Sequence, residues 1–286
     1  MCKNNVLLGI DTARPLRKQT AQDVIHLHEQ GVLPRLTIVR VGENPGDMAY
    51  ERAAKKRMEA SKIICDCIDL PCDVTQEKLN DCLDKLSEDV AVHAILLMRP
   101  LQNHLSELEA RDHVDPKKDV DGMCSKNIAG VFESGPDVFH PCTAEACIRI
   151  LEHNKIQLDG ANVVVVGRSR VIGRPVAMMC MDRGATPTIC HTHTKNLAEI
   201  CRSADILIVA CGVAKMIGED MVSEKTCVID VGINVDSEGS LCGDVDFEAV
   251  APKVAAITPV PRGVGSVTTS VLAQHVVQAA RLRVIH

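Results

Sequence analysis

Aromatic residues are almost missing from this chain of 286 residues: it has no tryptophan, one tyrosine (Tyr50) and three phenylalanines, Phe132, Phe139 and Phe247. Its core must be packed with aliphatic side chains, so Tyr50 is not one ring among many. Long apolar runs are also missing. Nothing approaches the roughly eighteen residues of a membrane span, and the start, MCKNNVLLGI, lacks the apolar stretch of a secretory signal. A net charge of −6 gives no general attraction for nucleic acid or anionic membranes. The expectation is a cytoplasmic protein with no nucleic-acid or membrane partner. The fourteen cysteines include no Cys-x-x-Cys pair. The tightest group, Cys65, Cys67 and Cys72, lies in a strand-like stretch and lacks the second close pair or nearby histidine of an ordinary ligand set. Cysteine as a small buried hydrophobe in a reducing compartment is the better reading, and no metal is expected.

What is present is an alternation of elements. RLTIVRVG (35–42), IICDCIDLP (63–71) and AVHAILLMRP (91–100) read as strands. LRKQTAQDVIHLHEQG, AYERAAKKRMEA and TQEKLNDCLDKLSED read as helices before and between them, giving a β-α-β-α-β unit and a parallel sheet. HPCTAEACIRILEHNKI reads as a bridging helix with Thr143 as its N-cap. The pattern then resumes with strands at 162–167, 186–190, 205–212, 226–232 and 255–260, whose continuous apolar runs suit a sheet covered on both faces. SVTTSVLAQHVVQAARLRV (266–284) reads as a final helix. The predicted fold class is α/β: two α/β domains with parallel sheets, the second a Rossmann-like dinucleotide-binding domain. The expected boundaries are 1–143, 144–266, and a C-terminal helix at 267–286 returning to the first domain.

VVVVGRSRVIGRP runs from a buried strand into a helix through Gly167, Ser169 and Gly173. Such a turn brings backbone N–H groups and a helix N-terminus against a phosphate. The spacing is G-x-S-x-x-x-G rather than G-x-G-x-x-G, and on spacing alone an ordinary β-α turn is the alternative. The next strand ends in ICHTHT. Where NAD-binding units carry an acid for the ribose, this chain has Cys190, His191, Thr192 and His193, with Arg168 in the turn. A cation with hydroxyls and imidazoles suits the 2′-phosphate of NADP. NAD stays an alternative, and the two histidines could equally be solvated loop residues.

DVDGM (119–123), PCT (141–143), VVVVGRSRVIGRP, VIDVGIN (228–234), GDVDF (243–247) and ITPVPRGVGSVT (257–268) stand in one consistent order. Together they resemble the methylenetetrahydrofolate dehydrogenase/cyclohydrolase (FolD) family over nearly the whole chain. The resemblance implies oxidation of 5,10-methylenetetrahydrofolate with NAD(P)+, followed in most members by hydrolysis of the methenyl product. It also implies a homodimer, with folate in a cleft between the domains. It makes Tyr50 a flat platform for the folate ring system and Asp121 a hydrogen-bonding partner of the pterin, the two catalytic-site residues. Pro259, Val260, Pro261 and Gly263 would border the same cleft, with Arg262 standing where the family has a glycine. Gly167, Arg168, Ser169, Gly173, Pro175, His191, Thr192, Gly212 and Ile233 would hold the cofactor. Without the resemblance, Tyr50 would be read as simply packing on its domain.

Two departures matter. The family pattern is Tyr-x-x-x-Lys, its lysine being the main acid/base group of the hydrolytic step, but four residues after Tyr50 comes Ala54. Lys55 is one place late, a rotation of about 100° on a helix. The family glutamine that contacts that lysine is replaced by Met98, and the leucine after it by Arg99. Losing both members of a polar pair avoids leaving one buried and unpaired. Hydride transfer requires alignment and no side-chain proton, whereas hydrolysis needs positioned acid/base help. The sequence therefore points to an NADP-dependent dehydrogenase that has lost cyclohydrolase activity. One alternative is a bifunctional enzyme in which Lys55 or Lys56 reaches back on its flexible stem. The other is a folate- or nucleotide-binding protein without catalysis.

Overall fold

The computed structural model describes residues 5–135, 138–236 and 239–283. Cys2, the outermost ends of the expected terminal domains and the last residue of the expected final helix lie outside them. The chain divides into two compact units. One comprises Pro15–Cys142 with Thr269–His286, the other Met1–Arg14 with Thr143–Thr268.

In chain order, the described elements begin with α1 (Gly9–Glu29), β1 (Arg35–Val41), α2 (Pro45–Ala60), β2 (Ile64–Leu70), α3 (Gln76–Glu88) and β3 (Ala94–Leu97). The short α4 (Glu107–Ala110), α5 (Ser125–Glu133) and α6 (Cys142–His153) follow. Next come β4 (Asn162–Val166), α7 (Gly173–Met181), β5 (Thr186–Cys190), α8 (Leu197–Arg202), β6 (Ile206–Val209) and β7 (Cys227–Asp230). A two-residue hairpin β8 (Asn234–Val235) and β9 (Leu241–Cys242), then α9 (Phe247–Val250), β10 (Ala256–Ile257) and α10 (Val264–Arg281) complete the chain.

The first unit carries a parallel sheet in the order β2-β1-β3. A parallel bridge from Ile95 to Asp119 lays the 118–120 segment beside β3. Val39, Val41, Ile95 and Leu97 share a core with Leu79 and Leu83 of α3, which presents its apolar stripe to the sheet. Asn44 starts α2: its Oδ1 accepts from the Gly46 and Asp47 N–H groups at 2.8 and 3.4 Å, with Pro45 at the first helical position, where a missing N–H costs nothing. The helix thus begins before the expected residue 49.

The second unit carries a parallel sheet in the order β10-β7-β6-β4-β5. β6 and β7 are buried throughout and β4 from its second residue on, as their continuous Val/Ile/Leu runs require. The connection reverses direction between β4 and β6, the place where open α/β sheets take ligands beyond the carboxyl ends of their strands. Residues 5–14, expected in the first domain, group here instead. Val6 bridges Ile257, the Leu7 N–H donates to the Ile257 carbonyl at 2.8 Å, and the Asn5 amide donates to the carbonyls of Ala251 and Val254. The division also falls inside α10, after Thr268 rather than at 266.

Of the thirteen described cysteines, seven are buried: Cys124, Cys142, Cys147, Cys180, Cys190, Cys201 and Cys227. Among the described residues no helix is long and apolar enough to cross a membrane, and no group of three or more His, Cys, Asp or Glu side chains is placed to hold a metal ion.

Candidate functional site

In the three-stranded unit the candidate residues gather at the carboxyl edge of the sheet. Tyr50 stands in the second turn of α2, beyond β1; Arg99 follows the end of β3; Asp121 follows the segment bridged to β3. The bridge is what brings Arg99 and Asp121 together across 22 positions. An Nη2 of Arg99 donates to Oδ2 of Asp121 at 2.7 Å, with the two side chains 13% and 16% exposed. The other carboxylate oxygen accepts from the Cys142 N–H at 3.1 Å.

This corrects the expected N-cap. α6 begins at Cys142, so Thr143 lies inside it, and the Asp121 carboxylate satisfies the first backbone donor from a distance in sequence. The Cys142 thiol donates to the Val120 carbonyl at 3.2 Å, and His275 Nδ1 lies 2.8 Å from the same oxygen, fixing the backbone just before Asp121.

The rest of DVDGM is structural. Asp119 is buried, and its carboxylate accepts from the Met123 and Cys124 N–H groups and the Asn127 amide. Burial nevertheless pushes its carboxyl above the ordinary range. Gly122 has φ +60°, and a Cβ there would stand 2.2 Å from the Phe139 carbonyl oxygen, so only glycine fits.

Tyr50 is half-buried. Desolvation pushes its phenol well above the ordinary value, helped by Cys142 and Asp121 and opposed by Arg99. The hydroxyl is therefore neutral and sits within electrostatic reach of the Arg99–Asp121 pair.

The two lysines stand apart from this group. Lys55 Nζ donates to Glu51 Oε1 at 2.6 Å and also engages Cys67 on β2, and these bonds hold the ammonium well above its ordinary value. Glu51 in turn takes Arg40 Nε on its other oxygen at 2.8 Å, while Arg40 also reaches Asp69 and the Gly42 carbonyl. Burial opposes the charge of Glu51, but the bonds from Lys55 and Arg40 outweigh it and keep the carboxyl below the ordinary range. Lys56 is exposed. At the family lysine position Ala54 is fully buried, and Met98 is 4% exposed.

In the five-stranded unit the turn after β4 closes tightly on backbone at its two glycines. Gly167 has φ +132°, and a Cβ on it would meet the Ala210 carbonyl oxygen at 2.3 Å; one on Gly173 would meet the Gly167 carbonyl oxygen at 2.1 Å. Ser169 is exposed, and its Oγ accepts from the N–H groups of Ile172 and Gly173 at 3.0 and 3.4 Å, covering the start of α7. Pro175 is buried in the first turn of that helix, where its missing N–H is tolerated.

The Gly167 N–H donates to the Cys190 carbonyl at 2.9 Å, so the turn lies beside the end of β5. There Arg168, Thr192 and His193 are exposed and His191 is half-buried, its Nδ1 accepting from the His193 N–H at 3.1 Å.

Gly212 and Ile233 are exposed near the same edge, on loops held by a pair of buried aspartates that sequence reasoning passed over. Asp244 accepts from the Cys211 and Gly212 N–H groups at 2.7 and 2.9 Å and from the Asn234 amide at 2.8 Å. Asp230 accepts from the N–H groups of Gly232, Asp244 and Val245, and burial pushes its carboxyl up to about 7. Gly232 and Gly243 leave room for these carboxylates: a Cβ on either would lie about 2 Å from one, at 2.2 and 1.8 Å. The aspartates in VIDVGIN and GDVDF were the available signal.

Pro259, Val260, Pro261 and Gly263 also belong to this unit. Pro259 and Gly263 are buried, Val260 is half-buried and Pro261 exposed. Gly263 is closed in by the Pro259 carbonyl, 2.4 Å from a built Cβ. Arg262, in place of the family glycine, adopts φ +82°, a conformation that penalises a side chain. Arg262→Gly should therefore raise stability by about 1 kcal/mol, net of glycine's greater freedom in the unfolded chain. Chemical denaturation at equilibrium checks this; an unchanged or lower midpoint would mean the arginine side chain compensates the strain.

Comparison with known proteins decides the family. Residues 7–121 match the tetrahydrofolate dehydrogenase/cyclohydrolase catalytic domain, and residues 141–284 match the NAD(P)-binding domain of the same family. The chain belongs to the tetrahydrofolate dehydrogenase/cyclohydrolase family. It is 46% identical over 281 residues to the bifunctional protein FolD of Clostridioides difficile strain 630, covering 98% of each chain. Its fold is similar to the crystal structure of the bifunctional FolD enzyme from Campylobacter jejuni, with a TM-score of 0.94, 34% identity and coverage of 97% and 99%. It is also similar to the dehydrogenase-cyclohydrolase of Trypanosoma brucei, a structure complexed with NADP and an inhibitor, with a TM-score of 0.93, 30% identity and 98% coverage of each chain. The five-stranded unit is thus the family's NAD(P)-binding domain.

Proposed function

We propose that this protein, acting as a homodimer, oxidises 5,10-methylenetetrahydrofolate to the methenyl form with NADP+ and does not hydrolyse the product. NADP+ supplies the acceptor for the hydrogen and electron pair that leave the folate methylene carbon. The folate nitrogens stabilise the cation left behind, so the protein's own work is to bind and orient. The Gly167 turn, Ser169 and the start of α7 would hold the pyrophosphate, with Arg168 and Thr192 at the adenosine ribose. Tyr50 would offer its ring face to the folate and Asp121 its carboxylate.

One observation carries the loss of hydrolysis: the family lysine position is a fully buried alanine, while Lys55 is tied to Glu51. The groups acting on the Tyr50 phenol are no substitute. Arg99 is a guanidinium, which stays charged in proteins; the Cys142 thiol donates to a backbone carbonyl; burial raises the phenol further above its ordinary value, so it keeps its proton. A bifunctional enzyme is the second reading, favoured by the names of the relatives. Following methenyltetrahydrofolate in one reaction with NADP+ separates the two. Accumulation, with decay no faster than in buffer, supports the monofunctional reading; rapid decay abolished by Lys55→Ala or Lys56→Ala supports the bifunctional one. No NADPH at all would leave a binding protein.

Tyr50 tests the folate platform. Tyr50→Ala should weaken folate binding by about 3- to 10-fold through loss of a stacking surface, while Tyr50→Phe, which keeps the ring, should stay near wild type. Equal damage from both, measured as KM for methylenetetrahydrofolate, would make the hydroxyl the functional part.

A further inference from the structure

Arg99 stands where the family carries leucine, and its guanidinium is spent on the residue expected to read the substrate. It meets Asp121 Oδ2 at 2.7 Å, while the Cys142 N–H takes Oδ1 at 3.1 Å. The two bonds act on different oxygens and fix both the position and the rotation of the carboxylate plane. An ionised carboxylate has about four acceptor sites, so about two remain for a ligand. The pterin ring of a folate presents a lactam N–H beside an exocyclic amine, two parallel donors that match a carboxylate edge-on.

We infer that Arg99 is a positioning residue for substrate recognition, holding the Asp121 carboxylate in the single orientation that receives these two donors; this rests on the folate reading given above. Asp121 is largely withdrawn from water at 16% exposure. Without Arg99 its charge would lose its main compensation and its plane one of two anchors. The consequence falls on binding the pterin, because no proton moves through the pair. It leaves the NAD(P)-binding domain untouched.

The variants are Arg99→Met, Arg99→Lys, Asp121→Asn and the double change Arg99→Met with Asp121→Asn, each checked by its thermal midpoint. Arg99→Met should raise both the KM for methylenetetrahydrofolate and the calorimetric Kd for tetrahydrofolate by roughly 10- to 100-fold, the usual effect of losing a charge-assisted bond. Its kcat at saturation and its Kd for NADP+ should stay close to wild type. Arg99→Lys, which keeps a cation and a donor, should recover most of the binding. In the Asp121→Asn background, Arg99→Met should add less than about threefold, because coupled residues do not add.

Wild-type tetrahydrofolate binding by Arg99→Met would overturn the inference. So would a full additional loss in the Asp121→Asn background, which would mean that Arg99 acts on the substrate by itself. Equal binding losses in Arg99→Lys and Arg99→Met, with a lowered midpoint in both, would make the residue structural. Should Arg99→Met fail to fold, Arg99→Gln, with a donor but no charge, replaces it under the same criteria. A wild-type protein that binds tetrahydrofolate yet forms no NADPH defeats the dehydrogenase reading alone, since the calorimetric comparison still decides the role of Arg99.

Discussion

Ala54→Lys combined with Met98→Gln should confer hydrolysis of methenyltetrahydrofolate on a protein that otherwise lets it accumulate. Positioned acid/base catalysis is typically worth ~10²–10⁴-fold, and recovering even the lower part of that range would be visible as decay of the methenyl product above the buffer rate. The two positions must change together. Ala54 is fully buried and Met98 nearly so, which means that a lysine at 54 enters a space closed on all sides. Placed there alone, its ammonium would be desolvated without a partner, which disfavours the charged form and destabilises the fold. A glutamine at 98 supplies a hydrogen-bonding oxygen and removes a thioether of similar length. The single change Ala54→Lys should accordingly lower the thermal midpoint and give less hydrolysis than the double change. Lys55 offers no shortcut, since its ammonium is committed to Glu51 and Cys67. Rapid hydrolysis by the unchanged protein, lost in Lys55→Ala, would sink this account.

How much of this was legible before the structure depends on the range of the interaction involved. The strands at 35–41 and 162–166 could be read because a buried parallel strand writes its whole environment into a local run of apolar residues. The start of α2 was missed because Asn-Pro-Gly reads as a turn, whereas here Asn44 caps and Pro45 leads a helix. α1 starts at Gly9, earlier than expected, because Pro15, which reads as a boundary, is accommodated inside the helix. The hairpin of β8 and β9 has strands of two residues, too short for any period to show.

The site divides in the same way. Gly167 and Gly173 stand where backbone closes on backbone, a local demand that a single residue type can display. Arg99 could be seen only as a departure from a pattern. Its partner lies 22 positions away, brought in by the bridge between Ile95 and Asp119, and no local rule pairs them. The displaced N-cap has the same origin, a carboxylate arriving from another segment.

Arg168→Ala should raise the KM for NADP+ by roughly 10- to 100-fold, the loss of a charge-assisted contact with a phosphate, while changing the KM for NAD+ much less. The expectation comes from what surrounds the end of β5. NAD-binding units place a carboxylate there to accept from the ribose hydroxyls, and that carboxylate repels a 2′-phosphate. In this chain β5 ends at the buried Cys190, followed by His191, Thr192 and His193, with no acid among them. The hydrogen bond from the Gly167 N–H to the Cys190 carbonyl sets the phosphate turn against this strand end, so Arg168, the next residue and exposed, is adjacent to the same edge. Two further exposed arginines, Arg170 and Arg174, share the turn and the first turn of α7, and they provide the control. If Arg168 reads the 2′-phosphate, Arg170→Ala should affect NADP+ and NAD+ alike and only slightly, as a general change of potential screened by salt. Arg168→Ala should lose discrimination between the two cofactors, and Thr192→Val should lose a smaller part of it. Steady-state kinetics with both cofactors decides the matter. Equal effects of Arg168→Ala on NADP+ and NAD+, or a wild-type preference for NAD+, would remove the assignment and leave Arg168 a solvated side chain beside the pyrophosphate.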